Sequence, residues 1–215
     1  MISPKVLKGG IALIDPLTAA VKRIIPLQYN PDTLTRSFQI RSVGGEGSNY
    51  SDALRLTGPP VETWKIEAEI DGTDQLEVAQ PGNTILQAGI QPILSALEII
   101  VYPKSSDLTN SNTLAGMGVI EIIPMEAMLT LFIWNKNRIV PVRITELSIT
   151  EEAFDVNLFP TRAKVSLGMR VLSVDDLGFG HKGGSIYMNY HQSKERLATM
   201  FTSGSLSEFG INSIL

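Results

Sequence analysis

The chain has 215 residues and a formal net charge of −4, with 19% charged and 43% hydrophobic residues. A chain of this size buries roughly 70% of its extended surface and needs no disulfide or metal to hold its core. It contains no cysteine, which excludes thiol catalysis, Cys-ligated zinc and disulfide scaffolds. The acidic balance argues against a general nucleic-acid-binding surface, and no apolar stretch is long enough to span a membrane.

Two alternating segments predict strands in the first third of the chain. Residues 33–41 place Leu34, Phe38 and Ile40 on one side, and residues 61–70 alternate more cleanly. In the second segment Trp64, Ile66, Ala68 and Ile70 oppose the polar set Thr63, Lys65, Glu67 and Glu69. This period of two is typical of strands with one buried and one wetted face. The Gly- and Ser-rich stretch 42–60 between them is long for a hairpin loop, so we expect it to be either functional or disordered.

The middle of the chain predicts one helix and a hairpin. Residues 84–102 carry apolar side chains at helical spacing, and we expect Pro92 either to kink this helix or to mark its start. A polar loop is predicted at 104–118. Strands follow at 128–134 and 138–149, joined by the turn-forming sequence Asn135-Lys136-Asn137.

The end of the chain changes character after a long alternating strand at 161–174. A Gly-rich loop is predicted at 175–184, then a helix at 185–201 with Ile186, Tyr190 and Leu197 on a docking face, then a loose tail. We therefore predict a mainly β domain over 1–174, a sandwich or barrel with one flanking α-helix. Residues 175–215 would add a hinge, a C-terminal helical appendage and a tail that makes assembly contacts.

No catalytic, cofactor-binding or metal-ligating constellation emerges, and we expect the protein not to be an enzyme and to bind no cofactor. His181 and His191 are ten residues apart without nearby cysteines, a poor metal site. Residues 178–183 match G-x-G-x-x-G, but the dinucleotide fold needs a further parallel strand and an acid, so a hinge is the better interpretation. The carboxylates interleave with polar residues and predict a solvated or interface face. They are Glu67, Glu69, Asp71, Asp74, Glu146, Glu151 and Glu152.

Three ordered stretches carry a family resemblance. They are Pro26-Leu27-Gln28-Tyr29-Asn30-Pro31-Asp32-Thr33-Leu34, Gly58-Pro59-Pro60-Val61-Glu62-Thr63-Trp64-Lys65-Ile66-Glu67, and Leu147-Ser148-Ile149-Thr150-Glu151-Glu152-Ala153-Phe154 continuing to Phe159-Pro160-Thr161-Arg162-Ala163-Lys164-Val165. In this order and spacing the chain resembles the tube-protein family of contractile injection systems, which are phage-tail-like particles. More narrowly, it resembles tube-initiator or inner-baseplate members, over roughly residues 5–174.

The resemblance implies the phage tail-tube fold and a ring of six subunits around a channel. Thr63, Lys65, Glu67 and Glu69 would then line the lumen. The loop 42–60, with Gly44, Gly45, Glu46 and Tyr50, would be an arm that reaches a neighbouring subunit or ring. Exposed strand edges would be paired between subunits, which removes an aggregation hazard.

The resemblance also implies partners and a location. We expect a homo-oligomer that contacts tube, spike or hub and other baseplate proteins, assembled in the bacterial cytoplasm, without nucleic acid and without membrane insertion. Many baseplate members carry a peptidoglycan-binding LysM module near the C-terminus, and the sequence leaves no room for one, which favours a purely structural role. The alternative is a monomeric β-barrel that binds a small apolar ligand, because alternation cannot distinguish a lumen from bulk solvent.

Overall fold

The computed structural model describes residues 7–42, 55–73, 88–116 and 127–214. Its strands are β1 (Gly10–Ile14), β2 (Val21–Pro26), β3 (Leu34–Gln39), β4 (Val61–Asp71), β5 (Leu129–Asn135), β6 (Arg138–Phe154) and β7 (Pro160–Val171). Its helices are α1 (Gln91–Glu98), α2 (Ser105–Gly116), α3 (Val174–Leu177) and α4 (Lys182–Ala198), followed by a 3-10 helix at Leu206–Phe209. The prediction of a mainly β fold with flanking helices is confirmed.

The described strands form one antiparallel sheet in the order β2-β1-β5-β6-β7-β4-β3. Strands β4 and β5 are three places apart, which in a flat sheet is about 14 Å. Yet the ring centroids of Trp64 on β4 and Phe132 on β5 are only 5.5 Å apart. The sheet therefore curls over itself, and its two halves enclose a common core in the manner of a sandwich.

The two longest alternating segments behave as predicted. Along β4, Trp64, Ile66, Ala68 and Ile70 are buried while the residues between them are exposed. Strand β7 buries Ala163, Val165, Leu167, Met169 and Val171 against the same core. These buried side chains are mostly large and apolar, so the central strands contribute much of the hydrophobic stabilisation.

The β5–β6 hairpin is also confirmed. Its two strands meet at a tight turn through Lys136 and Asn137, and the side chain of Asn135 accepts a hydrogen bond from the Asn137 backbone N–H at 2.9 Å. Asparagine favours such turns because its side chain can replace a backbone acceptor.

Helix α1 covers one side of the core and begins at Gln91 with Pro92 in its first turn, so the prediction that this proline marks the start of the helix is correct to within one residue. Proline fits the first turn of a helix because the N–H it lacks has no partner inside the helix there. Ile90, Leu94 and Leu97 are buried. Gly89 precedes the helix with φ +57°, and a Cβ there would lie 2.2 Å from the carbonyl oxygen of Pro160. The predicted helical residues 84–87 lie outside the described residues.

The predicted polar loop at 104–118 is wrong for residues 105–116, which form α2. None of its side chains is buried, so its sequence lacks the apolar stripe by which a helix can be predicted. The hydroxyls of Thr109 and Thr113 bond back to the carbonyls of Ser105 and Thr109, both at 2.9 Å. These hydrogen bonds give the threonine hydroxyls a partner within the helix, although such residues usually favour loops.

The predicted loop at 175–184 contains α3, so that prediction is wrong for its first residues. The side chain of Asp176 accepts a hydrogen bond from the Ser173 backbone N–H at 2.9 Å, one half of a capping box. Helix α4 then starts three residues earlier than predicted. His181 caps it, with Nδ1 accepting from the Gly183 N–H at 3.0 Å.

The burial predicted for the apolar side of residues 33–41 is wrong at two positions. Phe38 is 47% exposed and Ile40 is 71% exposed. Strand β3 ends the described sheet and pairs only with β4, so side chains near its end have no neighbouring strand to cover them.

Candidate assembly surfaces

The predicted lumen residues lie together on the solvent-facing side of the sheet. Thr63, Lys65, Glu67 and Glu69 are all exposed along β4. Their cross-strand neighbours continue the same polar surface over β3, β7 and β6. We call this four-strand surface the polar face; its main members beside β4 are Thr35, Ser37, Glu146, Ser148, Thr150, Arg162, Lys164, Ser166, Gly168 and Arg170.

One row of the polar face is an ion pair across a glycine. Lys65 lies opposite Gly168, and Gly168 lies opposite Glu146. Because Gly168 has no side chain, Lys65 Nζ approaches Glu146 Oε2 to 3.8 Å above it. A Cβ on Gly168 would lie 3.0 Å from the Cβ of Glu146. Both charged side chains are more than half exposed, so water screens the pair and its contribution to stability is small.

The charges at one end of the polar face are also paired. Lys164 bonds Glu152 at 2.8 Å, and this hydrogen bond raises the pKa of Lys164. Arg162 bonds Asp71 at 2.9 Å. Hydrogen bonds from Thr73, and after them Arg162, hold the pKa of Asp71 below its ordinary value. The carboxylates at this end therefore act as structural acceptors rather than as a catalytic pair.

The opposite side of β4 contains a buried carboxylate that the sequence analysis missed. Glu62 is 3% exposed. Its Oε1 accepts from Trp64 Nε1 at 2.7 Å and from the Tyr190 hydroxyl at 2.9 Å, and its Oε2 accepts from Lys194 Nζ at 2.9 Å. The sequence does contain a signal for this buried carboxylate, because Glu62 is an acid on the same side of an alternating strand as Trp64 and Ile66.

The Glu62 cluster joins α4 to the sheet. Tyr190 is 3% exposed and its ring contacts Trp64 edge-on at 6.2 Å. Burial, and then the negative charge of Glu62, raise the pKa of Tyr190. The prediction that Tyr190 lies on a docking face is therefore wrong, because its side chain belongs to the core of its own chain.

The other two predicted docking residues, Ile186 and Leu197, are less buried than Tyr190. Leu197 is 43% exposed near the end of α4, and Ile186 is half-buried against a small apolar cluster that includes Leu177. Whether 175–215 acts as a separate assembly segment stays a prediction. The burial of Tyr187 and Tyr190 makes α4 part of the folded body.

Both edges of the described sheet are open and carry exposed apolar side chains. On β2 these side chains are Val21, which is 58% exposed, and Ile24, which is 66% exposed. On β3, Phe38 is 47% exposed, and Arg36 and Lys194 lie 5.8 and 5.5 Å from its ring centre. Open edges of this kind can pair with strands of another chain.

The remaining sequence candidates that the structure describes lie apart from one another and form no catalytic arrangement. The proposed arm residues Gly44, Gly45, Glu46 and Tyr50, and also Asp74, lie outside the described residues. His191 stacks on Tyr187 and lies 3.4 Å from Glu195. The Gly-rich segment 178–183 connects α3 to α4 beside an antiparallel sheet, without the parallel strands of a dinucleotide fold in the described residues.

The described residues contain neither a metal-binding group of side chains nor a membrane-spanning helix. No three or more His, Asp or Glu side chains in the described ranges are grouped so as to hold a metal ion. Of the helices in this part of the chain, none has both the length and the apolar character needed to cross a membrane.

Comparison with known proteins gives a structural likeness to part of a phage-tail-like particle. No family model matches the sequence, and no curated protein matches it. Among solved structures, the chain is similar to a chain from the tail of an empty GTA particle with C6 symmetry, at 14% sequence identity and a TM-score of 0.30. The similarity covers 76% of this chain and 90% of that chain.

Proposed function

We propose that the protein is a structural, ring-forming subunit of a phage-tail-like particle of the contractile injection type. Within such a particle it would be the tube initiator or the baseplate adaptor that joins the spike hub to the inner tube. The sequence resemblance supports the family. The observation that carries the ring is a polar, four-strand face that ends in an open edge at β3.

A closed ring makes use of both features at once. In a monomer the polar face meets bulk water, and the edges at β2 and β3 remain open to aggregation. A heterologous contact repeated around a rotation axis closes without leaving an unpaired surface. The exposed apolar side chains of both edges, Val21, Ile24, Phe38 and Ile40, would then lie between subunits.

The dimensions suit a water-filled channel. Six copies of the four-strand face give about 24 strands at a spacing of about 4.8 Å, hence a barrel roughly 37 Å across before strand tilt. Barrels of 16–18 strands already leave an aqueous channel. Polar side chains such as Lys65, Glu67 and Glu69 are the kind that the wall of such a channel needs.

The same residues favour a structural role over the alternatives. The carboxylates of the polar face are spread along strands and largely occupied by ion pairs, so we propose no catalysis and no cofactor. A monomeric barrel for a small apolar ligand would need an open interior. Instead, Trp64 and Phe132 are 1% and 0% exposed and fill the space between the halves of the sheet. The proposed partners are further copies of this chain and the tube, hub and baseplate proteins, with assembly in the cytoplasm.

Native mass spectrometry and negative-stain electron microscopy of the purified chain test the proposal. We expect closed rings with sixfold symmetry, whose abundance rises with protein concentration. The matched variant is Phe38→Glu, which places a charge on the open β3 edge and should leave the subunit folded but monomeric. A wild-type chain that stays monomeric at every concentration, alone and with its neighbouring gene products, would contradict the proposed ring.

A further inference from the structure

The segment after α4 exposes apolar side chains that nothing in the described chain covers. Every residue from 199 to 214 is exposed. Phe201 is 78% exposed, Phe209 77% and Ile214 77%. We call residues 199–214 the tail. So high a share of exposed apolar side chains in so short a segment marks a surface that binds another one.

The tail nevertheless has a defined local shape. Its 3-10 helix, Leu206–Phe209, starts at Ser205, whose backbone N–H donates to the Glu208 carboxylate at 3.3 Å. It ends at Gly210, which adopts the left-handed conformation with φ +71°. The Ile211 N–H then bonds the Leu206 carbonyl at 3.4 Å. Phe209 is thus presented in a preformed turn, which lowers the entropy lost on docking.

A groove elsewhere on the molecule has matching chemistry. It has a volume of about 430 Å³ and is lined mainly by apolar side chains, including Val101, Met128, Leu129, Val142, Ile144 and Leu177. We call it the β5–β6 groove. Its size is within the range of binding pockets, roughly 300–1,000 Å³.

Charge also matches between the tail and the groove. Glu208 is the one ionisable side chain among residues 199–214. Arg143 lines the groove, is exposed, and makes no ion pair within the described residues. The tail therefore offers an apolar anchor beside one acid, and the groove offers an apolar surface beside one base, so their charges are complementary.

Helix α4 separates the two surfaces within one chain. His181, at its start, lines the groove, and the tail leaves from its other end after Ala198. Seventeen residues of α-helix are about 25 Å long. Head-to-tail packing of identical subunits brings opposite ends of the molecule together, so it places the tail of one copy beside the groove of the next.

We propose that the tail of one subunit inserts Phe209 into the β5–β6 groove of a neighbouring copy, with Glu208 facing Arg143. This inference rests on the self-association in the proposed function and names the segments that carry it. A central aromatic side chain in an apolar pocket, with one charged pair at its rim, is the arrangement found at binding hot spots.

Disulfide trapping tests the contact directly, because the chain has no cysteine of its own. Chains with Ser207→Cys, in the tail, are mixed with size-tagged chains with Val101→Cys, in the groove, and exposed to oxidised glutathione. We expect a mixed covalent dimer. The control partner is Leu17→Cys outside the groove, which should yield little mixed dimer even though Leu17 is more accessible than Val101, at 82% against 46% exposure.

Side-chain variants in the same assay test the chemistry of the contact. Phe209→Ala should lower the yield of mixed dimer roughly tenfold or more, as hot-spot truncations do. Ile214→Ala, equally exposed, should change it little. Arg143→Glu should also lower the yield, and adding Glu208→Arg on the tail chain should restore it.

Three outcomes would overturn the inference. The first is a mixed dimer no more abundant than with Leu17→Cys. The second is an intramolecular disulfide in the double variant without any mixed dimer, which would place the tail in its own groove. The third is a ring that forms equally well after removal of residues 199–215. The last result leaves the proposed ring intact, whereas a chain that is monomeric by native mass contradicts the ring itself.

Discussion

The two sides of strand β4 have opposite requirements. On the inner side, Glu62, Trp64 and Ile66 are almost fully buried, and each contacts other elements of its own chain. On the outer side, Lys65 and Glu67 are exposed, and the one ion pair of Lys65 is long and screened. The inner side therefore determines whether the subunit folds, and the outer side is left free for assembly.

This difference teaches that burial, and not charge, separates the residues that hold the fold from those we propose for assembly. Glu62 and Glu67 are both carboxylates on one strand, five positions apart. Glu62 accepts three hydrogen bonds in a dry environment, so losing a partner costs free energy. Glu67 is solvated, so its replacement should be nearly neutral for folding.

The largest expected effect is that of deleting α4. Removing residues 182–215 exposes Trp64 and leaves Glu62 buried on one side without Tyr190 and Lys194. We expect the cooperative thermal transition to disappear, as measured by circular dichroism. Removing only residues 199–215 is the matched control and should leave the transition unchanged. If the longer deletion melts like the full chain, α4 is an appendage as first predicted.

Trp64→Ala should have the next largest effect. The indole is 1% exposed, packs on Phe132 and Tyr190, and donates to Glu62. Its removal leaves a cavity and takes away one of the three hydrogen bonds to Glu62, so we expect a loss of roughly 3–5 kcal/mol in the free energy of unfolding. Urea denaturation measures this. Trp134→Ala, at a partly buried position, is the control and should lose clearly less.

Tyr190→Phe tests the Glu62 cluster through pH. Because burial and Glu62 raise the pKa of Tyr190 above its ordinary value of 10.0, the folded state retains a proton that the unfolded state releases. The stabilisation from this hydroxyl is therefore complete below about pH 10 and is lost as pH rises beyond it. At pH 8 the variant should be less stable by about 1.5–3 kcal/mol, the value of a hydrogen bond to a charged group.

The gap between the two proteins should then close above pH 10, since phenylalanine has no proton to release. Urea denaturation at pH 8, 10 and 11 measures this gap and cancels the titration of the other tyrosines and lysines. A gap that stays constant across this range would mean that the Tyr190 proton is not linked to folding.

The success of sequence-based prediction followed the same division between buried and exposed sides. Strands β4 and β7 were predictable because their buried and wetted residues alternate. The β5–β6 hairpin was predictable because the turn-forming sequence Asn135-Lys136-Asn137 separates two strand-like segments. Helix α2 was not, because it buries nothing and so leaves no periodic signal. Tyr190 was misplaced because one helical face cannot reveal whether it packs on its own sheet or on a partner. For the polar face, the sequence predicted which residues are exposed, and their role in a channel remains a proposal.

Lys65→Glu should have the smallest effect on the subunit and the most selective effect on assembly. The change places a carboxylate across Gly168 from Glu146 and near Glu67, but all three groups are solvated. We expect the free energy of unfolding of the isolated subunit to change by no more than about 0.5 kcal/mol. In a sixfold ring the same substitution occurs six times at one height, so that like charges repel across a confined space.

The salt dependence of assembly distinguishes residue 65 on an isolated subunit from residue 65 inside a closed ring. Screening acts over about 10 Å at 0.1 M ionic strength and about 3 Å at 1 M, so repulsion within a ring should weaken as salt is added. We expect native mass spectra and micrographs to show fewer rings for Lys65→Glu at low salt and recovery at high salt. Lys136→Glu, the same charge change in the exposed β5–β6 turn, is the control and should assemble normally. Equal assembly of Lys65→Glu and wild type at every salt concentration would mean that the outer side of β4 does not line a closed channel.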